Sequence, residues 1–436
     1  MSLNLHEKCK SKLIEVLAEL LPKLIVSNNF TLDRKSSYSL LSAESVVSGR
    51  GEDKDKLVEF IDEAPIFHFI HETLARELSE NQEYNSEAED KSLIEISGYK
   101  DPTLTATRLI EELDSLPWRY IFTVKFDREV SEKLFPIIKI HKPENQIGII
   151  KTNNDFIEKF PLVSGIETRD NKIRGPSIAS ALLGLRAEPE WGENQLCLQI
   201  EHEGFIGHFD QSATFERALN DFKAFCGLTI ALRILKIDRK YRPTPIRAKF
   251  IIHKLEAEKW VVQRFQEFDA DVSETFHDLV PHDLDGTLDT EEKRINWVNF
   301  TLLQIKRTFN NRDQNKNILL AAQWLFDSYC GKNQLLSYIQ MIVVLEILLG
   351  DKASSNQVGL GVLLGNRCAY LIGHTKTQRD EILKDFKEIY DVRSKIVHRG
   401  KSKLNAYEFS LFRKLQWMCR RIIQKEIELL DNDLKK

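Results

Sequence analysis

An arginine and a histidine lie five residues apart in the string IYDVRSKIVHRGKSK, which runs from Ile389 to Lys403. A guanidinium can bind a phosphate through several N–H donors, and an imidazole titrates near neutral pH. Arg393 and His398 are therefore candidates for acid–base chemistry on a phosphodiester, with His398 at a helix C-terminus that favours its protonated form. A polyanion could be bound by the neighbouring cations Lys395, Arg399, Lys401 and Lys403.

A helix must position this pair. Its apolar stripe, at helical spacing, consists of Ile382, Phe386, Ile389 and Ile396. Arg393 falls in register with the stripe, and a buried guanidinium needs an anion or an acceptor because an unpaired buried charge is costly. His398 lies about 140° further around an ideal helix, so one straight helix cannot bring the two side chains together. Either the helix unwinds before Gly400, or a second copy of the chain completes the pair. The alternative without chemistry is a structural ion pair and a helix-capping histidine.

A second set of carboxylates occupies the string DLDGTLD. It resembles the DxDGT loop of haloacid-dehalogenase-type phosphatases, in which Asp283 would be the nucleophile and Asp285 the acid–base group, with magnesium. That chemistry needs a buried strand before the loop, and Pro281 stands there instead. His277 and His282 suggest a metal site with the neighbouring aspartates, but residues five apart do not share a helix face. We therefore expect a surface loop that binds no metal.

The composition excludes several classes of protein. Of 436 residues, 42% are apolar and 29% are charged, which is typical of a globular chain. The longest apolar run, SYIQMIVVLEILLG, is too short for a membrane span and contains Glu346, and the first residues lack the pattern of a secretory signal. Six widely spaced cysteines without a CxxC pair predict reduced thiols. We expect a cytoplasmic protein that does not contact a membrane.

Charge is distributed unevenly along the chain. Residues 52–91 hold thirteen Asp/Glu and four Lys/Arg, a net charge of −9, whereas residues 391–425 hold ten Lys/Arg and two Asp/Glu, a net charge of +8. This asymmetry predicts a surface at the C-terminal end that faces a polyanion. Solvated charged helix faces are the alternative.

Hydrophobic periodicity divides the first 285 residues into segments. The pattern predicts helices over the first 80 residues, a polar linker over 80–102 and a short helix before Pro117. Strands are then predicted for RYIFTVKFD, QIGIIKT and NQLCLQIEHEGFIGHF, followed by a helix (TFERALNDFKAFCGLTIALRIL) and a strand (IRAKFIIHKL). Residues 269–292 are polar and acidic, and we expect them to separate this region from the rest.

Beyond Asp289 the pattern is helical throughout. Asp289 and Glu292 are spaced as a capping box. The predicted helices are 290–310, 314–330, 333–349, 360–372, 377–399 and 405–431. Left-handed glycine caps are predicted at Gly331, Gly350, Gly373 and Gly400. The chain is thus predicted to be α+β, with a mixed α/β N-terminal region over 1–285, a possible sub-boundary near 85–115, and an all-helical domain over 290–436.

The C-terminal strings resemble a HEPN domain, a helical-bundle family whose nuclease members carry R-x4–6-H. More narrowly, LLSYIQMIVVLEILLG, GNRCAYLIG and IYDVRSKIVHRGK follow the order of the ApeA-like HEPN group. The likeness covers about residues 290–430, and NQLCLQIEHEGFIGHFDQSATFERALNDFKAF is more weakly similar to the N-terminal portion that accompanies such domains. Ser394 stands where many nuclease members carry Asn, Asp or His.

This resemblance implies a metal-independent endoribonuclease without a cofactor, often a toxin or an effector of antiviral abortive infection. Arg393 would contact the scissile phosphate and His398 would transfer protons, with Ser394 and Glu346 in supporting positions. Two copies would pair as a homodimer through the helical domain, and the N-terminal region would respond to a trigger ligand or a phage component. A non-catalytic HEPN module that binds a nucleotide or a partner protein is the alternative.

Overall fold

The computed structural model describes residues 3–28, 30–47, 51–81, 84–85, 87–139, 146–162, 191–207, 212–242, 247–283, 290–350 and 359–433. Its architecture is α+β, as the sequence predicts: helices predominate, and every strand pairing is antiparallel. No helix among these residues is long and apolar enough to cross a membrane.

The N-terminal residues form a helical layer with its own hydrophobic core. Its helices are α1 (Glu7–Leu20), α2 (Arg34–Ser37), α3 (Glu44–Val47), α4 (Gly51–Phe60), α5 (Pro65–Asn81) and α6 (Pro102–Asp114). Leu13, Phe69 and Leu109 are fully buried in this core, to which Phe205 from the following region also belongs. The same region contains a small three-stranded sheet that hydrophobic periodicity did not predict. Its strands are β1 (Ile25–Ser27), β2 (Thr31–Leu32) and β3 (Lys91–Ser92). They are two or three residues long, too short to show alternation.

A five-stranded antiparallel sheet follows. In spatial order its strands are β5 (Ile147–Lys151), β6 (Leu196–Gly204), β4 (Trp118–Lys125), β8 (Lys249–Glu256) and β9 (Lys259–Glu267). Phe122 in the central strand lies opposite Ile200 on one side and Ile252 on the other, and all three are fully buried. The sequence predicted four of these strands. It missed β9, in which no residue is fully buried and no clean apolar alternation is left.

Three helices accompany the sheet: α7 (Arg128–Leu134), α8 (Asn154–Lys159) and α9 (Ala213–Ala231). Phe222 of α9 contacts Phe250 of β8 edge to face, with 5.8 Å between the ring centroids. On its other side the same ring contacts Phe326 of the C-terminal helices, at 6.0 Å. The hydrophobic core is therefore continuous from the sheet into the helical region.

The polar stretch from residue 269 is more ordered than the sequence predicts. It contains α10 (Ala270–His277) and β10 (Leu279–Pro281), which pairs with β7 (Leu235–Ile237) in a two-stranded sheet. The expectation that Pro281 excludes a strand is wrong. Pro281 is the last residue of β10, where a missing N–H is tolerated, and the next N–H, from His282, bonds the carbonyl of Ile234 at 2.8 Å.

Six helices form the C-terminal region, within two or three residues of their predicted ends. They are α11 (Glu291–Asn310), α12 (Arg312–Asp327), α13 (Gln334–Leu349), α14 (Leu360–Ile372), α15 (Lys376–Arg399) and α16 (Ala406–Asp433). Within 290–350 and 359–433 there is no strand. The N-cap of α11 is Thr290, which accepts from Lys293 N–H, rather than Asp289, which lies outside the described residues.

The four glycines predicted as left-handed helix caps fall into two groups by backbone conformation. Gly331 and Gly400 have positive φ, at 77° and 62°, as predicted for left-handed caps. Gly350 and Gly373 are extended, so the prediction is wrong for them. A Cβ at either position would lie within 2.6 Å of the carbonyl oxygen four residues earlier, which explains the need for glycine there.

Candidate functional site

Arg393 lies at the edge of the buried face of α15. That face consists of Ile382, Phe386, Ile389 and Val392. Val392 takes the place predicted for Ile396, which is only partly buried. The side chain of Arg393 is 27% exposed, which leaves the guanidinium at the boundary between the core and the surface. Its charge is thus partly desolvated and open to a ligand on one side.

Two side chains flank the Arg393 guanidinium. The Cζ atom of Arg393 lies 5.5 Å from the centre of the Tyr390 ring, one turn back on the same helix. Its Nη2 atom lies 3.8 Å from Oε1 of Glu346 on α13. The ring supplies a cation–π contact and the carboxylate a charge attraction. Both hold the planar group in one orientation.

The Glu346 contact leaves hydrogen bonds unmade on both partners. A separation of 3.8 Å exceeds hydrogen-bond length. Glu346 Oε1 is buried and accepts no hydrogen bond from the described residues. The Arg393 guanidinium likewise donates no hydrogen bond to any residue in the described ranges. Its N–H donors are available to an external acceptor such as a phosphate oxygen.

Tyr390 is itself fixed by close packing against α14. A Cβ on Gly361 would lie 2.8 Å from Cδ1 of the Tyr390 ring, so only glycine permits this approach. Burial raises the pKa of the Tyr390 phenol. The ring therefore stays neutral at physiological pH and acts as a platform for Arg393. Sequence reasoning did not single out Tyr390, although its position three residues before Arg393 places both on one helix face.

His398 is exposed and lies in the last turn of α15. The helix is continuous to Arg399 and ends at Gly400, so it does not unwind between the two motif residues as one of the sequence alternatives required. Five residues of α-helix rotate the side chain by about 140° and raise it by about 7.5 Å. Arg393 and His398 of one chain consequently point in different directions.

The residues after Gly400 are fixed by Glu408 at the start of α16. Glu408 accepts the N–H of Asn405 at 2.8 Å, and Asn405 accepts the N–H of Glu408 at 2.9 Å, which is the reciprocal pattern of a capping box. Lys401 forms an ion pair with Glu408 at 2.9 Å. Burial raises the pKa of Glu408, but the Asn405 N–H and the Lys401 ammonium more than offset it, and the net pKa is lowered. Lys401, a predicted RNA contact, thus has a structural partner.

The other predicted cations project into solvent. Lys395, Arg399 and Lys403 are exposed, and none forms an ion pair with a described residue. Ser394, next to Arg393, is half-buried. The end of α15 therefore carries several unneutralised positive charges around His398, as a polyanion-binding surface requires.

An exposed apolar side chain lies between the two motif residues. Val397 is 49% exposed, and on the α15 helix its direction falls between those of Arg393 and His398. On α14, Val362 is 59% exposed, one residue beyond the Gly361 contact with Tyr390. Both side chains are available to pack against another protein molecule.

The competing carboxylate site is not assembled in the described part of the chain. Asp283 follows a three-residue strand of an antiparallel pair, and Asp285 lies outside the described residues. His277 lies 3.2 Å from Asp127, and Asp278 pairs with Arg242 at 2.5 Å. The described residues contain no group of three or more His, Cys, Asp or Glu placed to hold a metal ion.

Comparison of the chain with protein-family models, with curated proteins and with solved structures finds no match. A functional assignment consequently depends on the site geometry around Arg393 and on the sequence strings that carry it.

Proposed function

We propose that this protein is a metal-independent endoribonuclease whose site is formed by Arg393 and His398 of two paired copies. The observation that carries the proposal is the state of the Arg393 guanidinium. It is half-buried, held by Tyr390 and Glu346, and has no hydrogen-bond acceptor among the described residues. A pre-oriented cation with free donors fits a phosphodiester oxygen.

The second copy is needed for a geometric reason. Because α15 is continuous, His398 points away from Arg393 of the same chain. Its imidazole therefore cannot reach a phosphate that is bound to that arginine. A two-fold axis near Val397 would place His398 of one copy beside Arg393 of the other, and the interface would be self-complementary. Val397 and Val362 would then be buried between the copies.

RNA is the substrate class that this set of groups can cleave without a metal. The ribose 2′-oxygen attacks phosphorus while a neutral His398 accepts the hydroxyl proton. The bond between phosphorus and the 5′-oxygen breaks, and the same His398, protonated by the first step, donates a proton to that oxygen. Arg393 stabilises the negative charge that develops on the phosphoryl oxygens. The products would be a 2′,3′-cyclic phosphate and a free 5′-hydroxyl. DNA, which has no 2′-hydroxyl, would not be cleaved.

Lys395, Arg399 and Lys403 would bind the RNA backbone on either side of the scissile phosphate. A cytoplasmic toxin or abortive-infection effector is the cellular role that suits such an enzyme, since unrestrained cleavage of RNA stops growth of the host cell. Expression of the wild-type chain should then be toxic, and expression of His398→Ala should not.

The proposal is tested by incubating the wild-type protein and His398→Ala with total RNA in EDTA. Wild type should cleave and leave cyclic-phosphate ends, and His398→Ala should not, although it folds normally because His398 is exposed. If wild type and His398→Ala both bind RNA and neither cleaves it, the protein is a binding module and not a nuclease. Cleavage only after magnesium is added would contradict the mechanism.

A further inference from the structure

A separate pocket of about 410 Å³ lies in the N-terminal helical layer, away from Arg393. Its lining includes Arg34, Tyr38, Phe67, His71 and Ala75. The volume lies within the range of roughly 300–1,000 Å³ that is typical of small-molecule sites. The pocket is mainly apolar, with one cation and one imidazole.

Three rings in this pocket are nearly parallel. Phe67 stacks on Tyr38 with 6.2 Å between centroids and 14° between planes, and on His71 with 5.6 Å and 18°. Tyr38 is 47% exposed, so the outer end of this ladder is open to solvent. Offset parallel rings at these distances form a platform on which another planar ring can stack.

The wall of the pocket on α5 is set by helix periodicity. Phe67, His71 and Ala75 are four residues apart and share one face of the helix. The small Ala75 side chain at the third position leaves the space that a larger residue would fill. Phe67 is held in place by its backbone N–H, which donates to Glu44 at 2.8 Å.

Arg34 supplies the charge at the rim. Its Nε donates to the Tyr38 hydroxyl at 3.0 Å, and its guanidinium carbon lies 5.9 Å from the centre of the Tyr38 ring. Arg34 is exposed and forms no ion pair within the described residues. Its remaining N–H donors can bind an anionic group of a ligand whose ring stacks in the pocket.

We propose that this pocket binds a free nucleoside monophosphate. The base would stack on Tyr38, the exposed end of the Tyr38–Phe67–His71 ladder, and the phosphate would pair with Arg34. This site is independent of the proposed nuclease site, so His398→Ala would not alter it.

The experiment is calorimetric titration of the full chain with AMP, GMP, CMP and UMP, and with the four matching nucleosides. At least one nucleotide should bind saturably. Phe67→Leu, which keeps an apolar group but removes the ring that supports Tyr38, should weaken that binding about tenfold. Ala75→Leu, which fills the pocket, should weaken it at least as much. Phe265→Leu, at a partly exposed ring on β9, is the matched control and should bind normally.

A variant of Arg34 distinguishes the contribution of the phosphate to binding from that of the base. Arg34→Ala should weaken the nucleotide about tenfold and leave the corresponding nucleoside unchanged. Arg128→Ala, at an exposed arginine outside the pocket, should affect neither. Absence of saturable binding by all four nucleotides at millimolar concentration would overturn the proposal. So would binding that Phe67→Leu and Ala75→Leu leave unchanged.

Discussion

Arg393 and Glu346 face each other across α15 and α13 at 3.8 Å, close enough for charge attraction and too far for a hydrogen bond. The carboxylate can therefore orient the guanidinium without occupying its N–H donors. An ion pair with a direct bidentate contact would compete with a phosphate for the same donors. The relationship suits a site in which Arg393 is oriented and remains available to a substrate.

Glu346→Gln tests this orienting role. We expect RNA cleavage to fall severalfold, since the neutral amide attracts the guanidinium less strongly. The free energy of unfolding should change by less than about 1 kcal/mol, because both side chains are more than a quarter exposed. The measurements are initial cleavage rates and urea unfolding. Glu388→Gln, at a carboxylate on α15 that is bonded to Tyr407, is the control and should cleave at the wild-type rate.

Val397→Glu tests the pairing of two copies. A carboxylate beside the proposed two-fold axis would lie close to its equivalent in the other copy, and the repulsion should shift the protein to monomers. Cleavage should be lost together with the dimer, while circular dichroism shows that the Val397→Glu monomer keeps the helical content of the wild type, because Val397 is half exposed. Analytical ultracentrifugation gives the oligomeric state. If the Val397→Glu protein remains dimeric and active, the interface does not lie at Val397.

Charge reversal tests the RNA-binding surface. Lys395→Glu combined with Arg399→Glu should weaken RNA binding, and the slope of log K against log salt should fall by about 0.7 for each phosphate of single-stranded RNA that the variant no longer neutralises. Fluorescence anisotropy with a labelled RNA at several salt concentrations measures this slope. Reversal of Lys56 and Lys316, two exposed lysines outside the surface, changes the net charge equally and should leave the slope unchanged.

Glu408 gives a pH-dependent contribution to stability. Its pKa is lowered in the folded protein, so its carboxylate stabilises the fold above the unfolded-state pKa of about 4.3, and this contribution is lost as the pH falls through the folded-state pKa. Glu408→Gln can keep the capping geometry and removes the charge. The difference in unfolding free energy between the two proteins should be largest near neutral pH and should shrink below about pH 4. Glu381→Gln, at an exposed position, should show no such difference.

The sequence predicted the helices of the C-terminal region well because their apolar residues repeat over several turns. It also placed His398 off the face that carries Arg393, since that angle follows from helix geometry alone. It did not predict the Tyr390 packing against Gly361, which depends on how α14 crosses α15. The strand β9 was missed because its residues are exposed or only partly buried, so burial gives no clear period. Helix α10 was missed because it is eight residues long and only two of its buried side chains, Val272 and Phe276, are apolar.

The two-copy site is tested most directly by mixing inactive variants. Arg393→Ala and His398→Ala should each be inactive alone. When the two proteins are mixed under conditions that let copies exchange, half of the dimers pair one of each. Each such dimer then has one intact site, with Arg393 from one copy and His398 from the other. RNA cleavage in EDTA should return to about a quarter of the wild-type rate. A mixture that stays as inactive as either variant would contradict a site shared between two copies.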